Sequence, residues 1–123
     1  MSTLTAFNTQ LERLVKDLIT YFPESKDFKL FESSFQLLKQ ANPRKILELF
    51  KIHILSKYKQ YILDKNEHFF LSNDYNDIVA TNDNNYAELL MLRLKDNWSS
   101  IDDKNKEIIW KYFQVLIVLS EKE

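Results

Sequence analysis

The stretch NPRKILELFKIHILSKYKQYILD, residues 42–64, decides the fold that this sequence predicts. Asn42 is a preferred N-cap, and Pro43 suits the first helical position because the backbone hydrogen that it lacks would be unpaired there. At about 100° per residue, the apolar side chains leave only a narrow polar side. The main predicted face is Ile46, Leu47, Phe50, Ile54, Tyr58 and Tyr61, extended by Ile52, Leu55, Ile62 and Leu63. A helix that is apolar on most sides is buried on most sides, so residues 43 to 64 should form the central helix.

Helical periodicity continues on both sides of this segment. Apolar residues spaced 3 and 4 apart predict an N-terminal helix that stops at Pro23, and Ser25 or Asp27 can cap a second helix. Two more helices are expected at 84–97 and 103–120, the last one opened by an S-x-x-D box at 100–103. The predicted fold is therefore all-α, a compact bundle of about five helices forming a single domain over residues 1–123.

The residue types that are missing exclude several kinds of site. The chain of 123 residues contains neither cysteine nor glycine. Without cysteine there is no disulfide and no thiolate metal site. Without glycine, the phosphate-binding loops in which the backbone closely approaches an anion are excluded. Helix ends and turns are expected to use Asn, Asp or Ser instead, since these side chains tolerate left-handed backbone geometry.

No catalytic or metal-binding pattern stands out in the sequence. His53 and His68 have no partner at metal-ligand spacing, and His53 is placed on the narrow polar side of the central helix. The carboxylate pairs at 74/77 and 102/103 lie where helix caps are expected. We therefore predict a protein without enzymatic activity, cofactor or metal ion. The N-terminus lacks a secretory signal and the longest apolar run is 115–119, so an intracellular protein with no membrane segment is expected.

The segment between the central helix and the next one, residues 65–85, is too long for a structureless connector in a compact domain. Its first half is aromatic, with Phe69, Phe70 and Tyr75, whereas residues 81–85 are Asn- and Asp-rich. The aromatic half is expected to be pinned to the bundle and the polar half exposed. The alternative is that these aromatic residues bind a partner.

A series of short motifs resembles a known family. It comprises F-N-x-x-L-x-x-L-V at 7–15, F-P at 22–23, N-P at 42–43, Y-K-Q-Y-I at 58–62, F-F-x-x-x-D-Y at 69–75 and Y-F-Q-x-L-x-x-L-S at 112–120. Together these motifs resemble small helical proteins of nucleocytoplasmic large DNA viruses. The resemblance covers nearly the whole chain and implies a viral protein of the host cytoplasm or the virion. It implies no activity or site.

Two functions remain open at this point. The first is a protein–protein interaction module, which binds a protein partner or a second copy of itself. It is favoured by the aromatic content of 14 % and by a last helix that is apolar nearly all round. Trp110 and Val118 are expected to point outward from that helix. With Phe69, Phe70 and Tyr75, they are the predicted partner-binding residues.

The second function is nucleic-acid binding by the basic region 26–65. This region holds nine Lys and Arg against four Asp and Glu, a balance of +5, whereas residues 66–107 hold four against nine, a balance of −5. The candidate contacts are Arg44, Lys45, Lys51 and Lys59. The lysines of the central helix scatter around its axis and form no stripe that could follow a phosphate backbone. A simpler reading of the charge imbalance is that the basic and acidic regions pair with each other.

Overall fold

The computed structural model describes residues 2–73 and 86–123, with side chains in the second range from Leu90 onward. The described residues form helices and no strands. The helices are α1 (Thr3–Tyr21), α2 (Lys26–Ala41), α3 (Pro43–Phe50), α4 (Ser56–Leu63), α5 (Glu67–Ser72), α6 (Tyr86–Asn97) and α7 (Asp103–Glu121). A π-helical segment, Lys51–Leu55, joins α3 to α4, and a 3₁₀ turn, Trp98–Ser100, follows α6. The predicted all-α bundle is confirmed. Tyr75, the predicted turn after Asp74 and the predicted exposed residues 81–85 lie outside the described residues.

Helix α1 is capped by Ser2 and packs against α2, α3 and α7. The Ser2 hydroxyl accepts a hydrogen bond of 3.0 Å from the Thr5 backbone N–H, which satisfies one of the free donors at the helix start. The buried residues on α1 are Phe7, Asn8, Leu11, Leu14, Val15 and Leu18. The Asn8 side chain donates a 3.0 Å hydrogen bond to the carbonyl oxygen of Pro43, which ties α1 to the first turn of α3.

Residues 43–63 form one continuous helical rod at the centre of the bundle, as predicted, but it is not purely α-helical. The Ser56 N–H donates to the carbonyl of Lys51, five residues earlier, which is the π-helical hydrogen-bonding pattern. The Ser56 hydroxyl also donates to the Ile52 carbonyl. The buried residues along the rod include Ile46, Phe50, Ile54, Tyr58 and Ile62, each four residues after the last.

A spacing of four explains the π segment. In an α-helix of 3.6 residues per turn, each step of four residues rotates the side chain about 40° further around the axis. Over the 16 residues from Ile46 to Ile62 the drift would reach about 160° and carry Ile62 out of the core. The wider π turn holds an additional residue and removes much of this rotation. One face of the rod can therefore remain buried along its whole length.

Three predictions for the faces of the rod are wrong, and the π segment explains one of them. Tyr61, expected on the main face, is exposed, because the additional residue of the π turn rotates every later position by about 100°. Ile52, expected to extend the apolar face, is 59 % exposed, and His53, expected on the polar side, is buried. A uniform rotation of about 100° per residue already gives both results, since it places His53 about 20° and Ile52 about 120° from Ile46.

The rod ends at a lysine with left-handed backbone geometry, a residue type that the composition did not suggest for this role. Lys65 has a φ of 52°, in the left-handed region that glycine normally occupies at a helix C-terminus. The Asn66 N–H donates to the Tyr61 carbonyl at 2.9 Å and the Lys65 N–H to the Ile62 carbonyl at 3.1 Å, the two bonds of a Schellman motif. The expectation that only Asn, Asp or Ser would close helices is therefore wrong at this position.

Helix α5 places the two phenylalanines of the connector on the bundle. Phe70 is buried, with its ring edge-on to Trp98 and Trp110 at centroid distances of 5.1 and 5.9 Å. Phe69 is half-buried and stacks on Tyr61 at 3.6 Å with nearly parallel rings. This part of the connector is pinned as expected. Trp110 is buried in the same aromatic cluster, so the prediction that it points outward is wrong.

Helix α7 begins at Asp103, as predicted, but its N-cap lies two residues after the Ser100 of the predicted capping box. Asp102, not Ser100, is the N-cap, and its carboxylate accepts a 2.8 Å hydrogen bond from the Asn105 N–H, while Ser100 belongs to the 3₁₀ turn. The inner side of α7 is fully packed. Its buried residues are Ile109, Trp110, Phe113, Leu116, Ile117 and Ser120. The helix lies against α1 and α4, where the Gln114 side chain donates to the Leu63 carbonyl at 3.1 Å.

Candidate interaction surface

The predicted partner-binding residues do not form one surface. Phe70 and Trp110 are buried in the core, and Phe69 is held against Tyr61. Val118 alone among the described members of this set is well exposed, at 48 % of its surface. An interaction site on the described residues must therefore be built around Val118 and its neighbours on α7.

The candidate nucleic-acid contacts are partly engaged within the molecule. Arg44 donates to the carboxylate of Glu123 at 3.1 Å, and Lys59 to that of Glu121 at 2.7 Å. Lys45 is exposed and Lys51 half-buried, and neither forms an ion pair with a described residue. The basic region therefore pairs in part with acidic residues. The partners of Arg44 and Lys59 lie at the C-terminal end of α7, whereas Lys65 pairs at 2.6 Å with Glu107 of the 66–107 region that the sequence indicated.

The outer side of α7 carries six residues in a regular series. Lys104, Ile108, Lys111, Val115, Val118 and Lys122 recur at spacings of 4, 3, 4, 3 and 4 residues. We call this set the α7 stripe. At 3.6 residues per turn all six fall within about 80° of the helix circumference, over a length of about 27 Å. The stripe lies opposite the buried side of α7, and each member is exposed except Ile108, which is half-buried.

The apolar part of the stripe borders a groove between α7 and α1. Val115 is 40 % exposed, and with Ile108 and Tyr112 it forms one wall of this groove, which has a volume of about 190 Å³. Gln10 and Arg13 of α1 form the other wall. A β-branched side chain loses little conformational freedom when it is covered. The groove and the stripe therefore present stiff apolar surface to solvent.

The electrostatic character of this surface is positive. Lys104, Lys111 and Lys122 on the stripe and Arg13 beside it make no ion pair with any residue in the described ranges. The glutamates at the edge of the stripe do not compensate them. Glu107 is paired with Lys65 at 2.6 Å and Glu121 with Lys59 at 2.7 Å.

A partly buried hydrogen bond joins the two walls of the groove. The Tyr112 hydroxyl on α7 donates to the Asp17 carboxylate on α1 at 2.7 Å. Burial of the phenol, together with this bond and the charge of Asp17, raises the pKa of Tyr112 to about 12. Burial and the nearby carboxylates Asp17 and Asp102 also raise the pKa of Tyr21. Both tyrosines are therefore neutral at physiological pH and contribute no negative charge to the surface.

A second exposed apolar area lies on α2. Leu37 is 70 % exposed, and Leu30 is exposed one heptad before it. Next to Leu30, a groove of about 130 Å³ runs between α2 and α6, lined by Phe31 and Leu90. Arg93 and Asp27 close its rim with a 3.7 Å ion pair.

The described residues contain no group of three His, Asp or Glu side chains that could hold a metal ion. No helix within the same ranges is both long enough and apolar enough to cross a bilayer. The chemical content of the α7 stripe is apolar surface and fixed positive charge, which can bind a ligand but supplies neither nucleophile nor acid–base pair.

The stripe was visible in the sequence but was not recognised there. Its signal is the strict alternation of 4 and 3 residues between Lys104 and Lys122. The neighbouring apolar residues of α7 obscure that signal, because Ile108 to Leu119 is apolar nearly all round and is interrupted only by Lys111 and Gln114. Once Trp110 and Phe113 are assigned to the core, only one narrow line of residues remains on the outside.

Comparison of the chain with protein families, with curated proteins and with solved structures found no match.

Proposed function

We propose that the protein is a non-enzymatic helical module that binds another protein through the α7 stripe. The observation that carries the proposal is the exposure of Val115 and Val118 on a helix whose opposite side is fully packed. Their positions are set by a rigid scaffold, so little ordering entropy opposes binding. Uncovered apolar residues lined up beside a groove are typical of interaction sites, whereas isolated ones are common on any surface.

The viral context belongs to the same proposal. The motifs at 42–43, 58–62 and 69–75 resemble small helical proteins of large DNA viruses, and a binding module of this size suits an intracellular or virion-associated factor. This context rests on the resemblance alone. The interaction surface itself rests on the geometry of α7 and does not depend on the origin of the chain.

Nucleic-acid binding through residues 26–65 remains the second candidate function. It is supported by the balance of +5 in that region and by Lys45 and Lys51, which form no ion pair with described residues. It is weakened by Arg44 and Lys59, whose charges are engaged by Glu123 and Glu121. These two exposed pairs must open before phosphate can bind, although each such pair contributes only about 0–1 kcal/mol.

Site-specific photo-crosslinking tests the proposed function. A photo-reactive amino acid replaces Val115 in one version of the full chain and Leu37, on α2, in a control version, where the replaced side chain is even more exposed (70 % against 40 %). Both are produced in cells in which the protein naturally occurs. We expect a discrete protein adduct from position 115 that is lost when Val118→Asp is added. Adducts with nucleic acid, or adducts from position 37 alone, would contradict the proposal.

A further inference from the structure

The proposed interaction function does not say what kind of partner binds. The residues of the α7 stripe limit the class of partner that could do so. We propose, on the premise of that function, that the occupant of the stripe is an amphipathic α-helix of another protein, with an apolar seam flanked by carboxylates. The stripe would form one side of a two-helix coiled-coil contact.

The spacing of the stripe is the first argument. Alternating intervals of 4 and 3 residues are the a/d pattern of a heptad repeat, in which two helices keep their seams in contact by supercoiling. Any line along an α-helix follows this spacing, so the residue types are what distinguish the stripe: it holds β-branched residues at 108, 115 and 118 and lysines at the other three positions. The stripe spans about 27 Å, so it matches a partner helix of about 18 residues. Ile108 and Val115 take a positions in this repeat, where β-branched residues favour two-stranded contacts, and Val118 takes a d position.

The charge of the stripe is the second argument. Three of its six positions are lysine, Arg13 lies beside it, and the described part of the chain supplies no ion-pair partner for these four cations. A seam lysine lowers the stability of a coiled coil but specifies the partner, because its ammonium group reaches carboxylates at the edge of the facing helix. A partner with Glu or Asp flanking its apolar seam supplies that complement.

The same charges argue against a second copy of this chain as the occupant. In an antiparallel pairing of two stripes, Lys104 of one copy would lie opposite Lys122 of the other, and in a parallel pairing each lysine would face itself. The stripe contains no carboxylate to offset this repulsion. The glutamates at its edge, Glu107 and Glu121, are already paired with Lys65 and Lys59.

Other polyanions fit the stripe less well. Phosphates recur about every 3.4 Å along one strand of a duplex, whereas the three lysines lie about 10 and 16 Å apart on the helix. The stripe would present two valines and an isoleucine to an anionic membrane. It has none of the exposed Trp, Phe or Leu residues that anchor helices at a membrane surface.

The test uses three designed peptides of about three heptads, each labelled with a fluorophore, and the full-length protein. The first peptide has Leu and Val at its seam and Glu at the flanking e and g positions; mutual repulsion of the glutamates keeps it from pairing with itself. The second has Lys in place of these Glu residues, and the third is a scrambled form of the first. By fluorescence anisotropy, the acidic heptad peptide should bind at least about tenfold more tightly than either of the others.

Charge reversal supplies the specific control. Lys111→Glu should lower the affinity for the acidic peptide by about tenfold and raise the affinity for the basic one. Lys29→Glu, at an exposed lysine on α2, should change neither by more than about twofold. Unchanged circular dichroism spectra would show that both variants are folded. Equal affinity for the acidic heptad and scrambled peptides, or equal effects of the two variants, would overturn the inference.

Three further measurements cover the other occupants. Sedimentation could show that the protein dimerises as its concentration rises and that Val118→Asp abolishes the dimer. The occupant of the stripe would then be a second copy of this chain and not an acidic helix. Tighter binding of a DNA or RNA duplex, or of phosphatidylserine vesicles, would also overturn the proposal. If no peptide binds but crosslinking at position 115 captures a segment that is not acidic, the partner chemistry is wrong and the interaction function stands. If crosslinking fails as well, both are wrong.

Discussion

The Tyr112 hydroxyl on α7 donates its proton to the Asp17 carboxylate on α1 across a distance of 2.7 Å. The two residues are far apart in sequence, and both are half-buried at the contact between the N-terminal and C-terminal helices. Their bond is polar within an otherwise apolar contact. Because the hydroxyl can donate only while it is protonated, the strength of this hydrogen bond depends on the ionisation of the Tyr112 phenol.

Tyr112→Phe should therefore alter how stability depends on pH. The folded protein raises the pKa of Tyr112 from 10.0 to about 12, so the unfolded chain loses this proton first as the pH rises. The contribution is complete below about pH 10 and is lost as the pH rises to about 12. At neutral pH the variant should be less stable by about 1 kcal/mol, and this deficit should shrink above pH 10. Urea unfolding of parent and variant at several pH values measures the difference, and a constant deficit would contradict it.

Truncation of the central rod should be costly. Phe50 and Ile54 are buried on the face that meets the core, and Phe50 contacts the ring of Phe7 edge-on at 5.2 Å. Phe50→Ala should cost about 3–5 kcal/mol and Ile54→Ala about 2–5 kcal/mol, because each leaves a cavity. Leu37→Ala, on the exposed side of α2, should stay within about 0.5 kcal/mol of the parent. Equal melting temperatures for all three variants would show that the rod is not the core element.

Phe70 provides a test of the connector. Its ring packs edge-on against Trp98 and Trp110, so Phe70→Ala should destabilise the protein by about 3–5 kcal/mol. The fluorescence of both tryptophans should change as their apolar neighbour is lost. Leu71→Ala, one residue further along and exposed, serves as the matched control. A Phe70→Ala variant with full stability would mean that this ring is not part of the core.

Replacement of Lys65 by glycine should stabilise the protein. A non-glycine residue in the left-handed region costs about 1–2 kcal/mol, and the Schellman motif needs no side chain at this position. The variant also loses the ion pair with Glu107, but exposed pairs contribute only about 0–1 kcal/mol. Glu107→Gln measures that loss separately. A Lys65→Gly variant less stable than Glu107→Gln would show that the backbone at 65 is not strained.

The sequence contains enough information to predict the helices because apolar spacing, Asn42-Pro43 and Pro23 are local signals. It does not show where a helix changes its rotation per residue. The π segment at 51–55 arises because the core selects residues four apart, and that selection acts through tertiary packing. Tyr61 is consequently predicted on the wrong side of the rod.

The outward surface was harder to predict than the core for a related reason. Trp110 and Val118 are both apolar residues on the same predicted helix, and periodicity alone cannot tell which one is buried. The aromatic cluster resolves this, because Phe70 and Trp98 reach Trp110 from two other elements. The pairing of Arg44 and Lys59 with the last residues of the chain likewise depends on the arrangement of helices that are distant in sequence.

The π segment has a consequence for how the length of this chain can change. It holds one residue more than an α-helical turn would need, so deletion of Ile52, which has most of its side chain in solvent, would leave an uninterrupted α-helix. Ile46 and Phe50 would keep their orientation. Tyr58 and Ile62 would each move one position earlier in the chain and would still face the core. A deletion at most other points in the rod would instead turn one half of it by about 100° relative to the other. Homologues one residue shorter would therefore be expected to have their gap at 51–55.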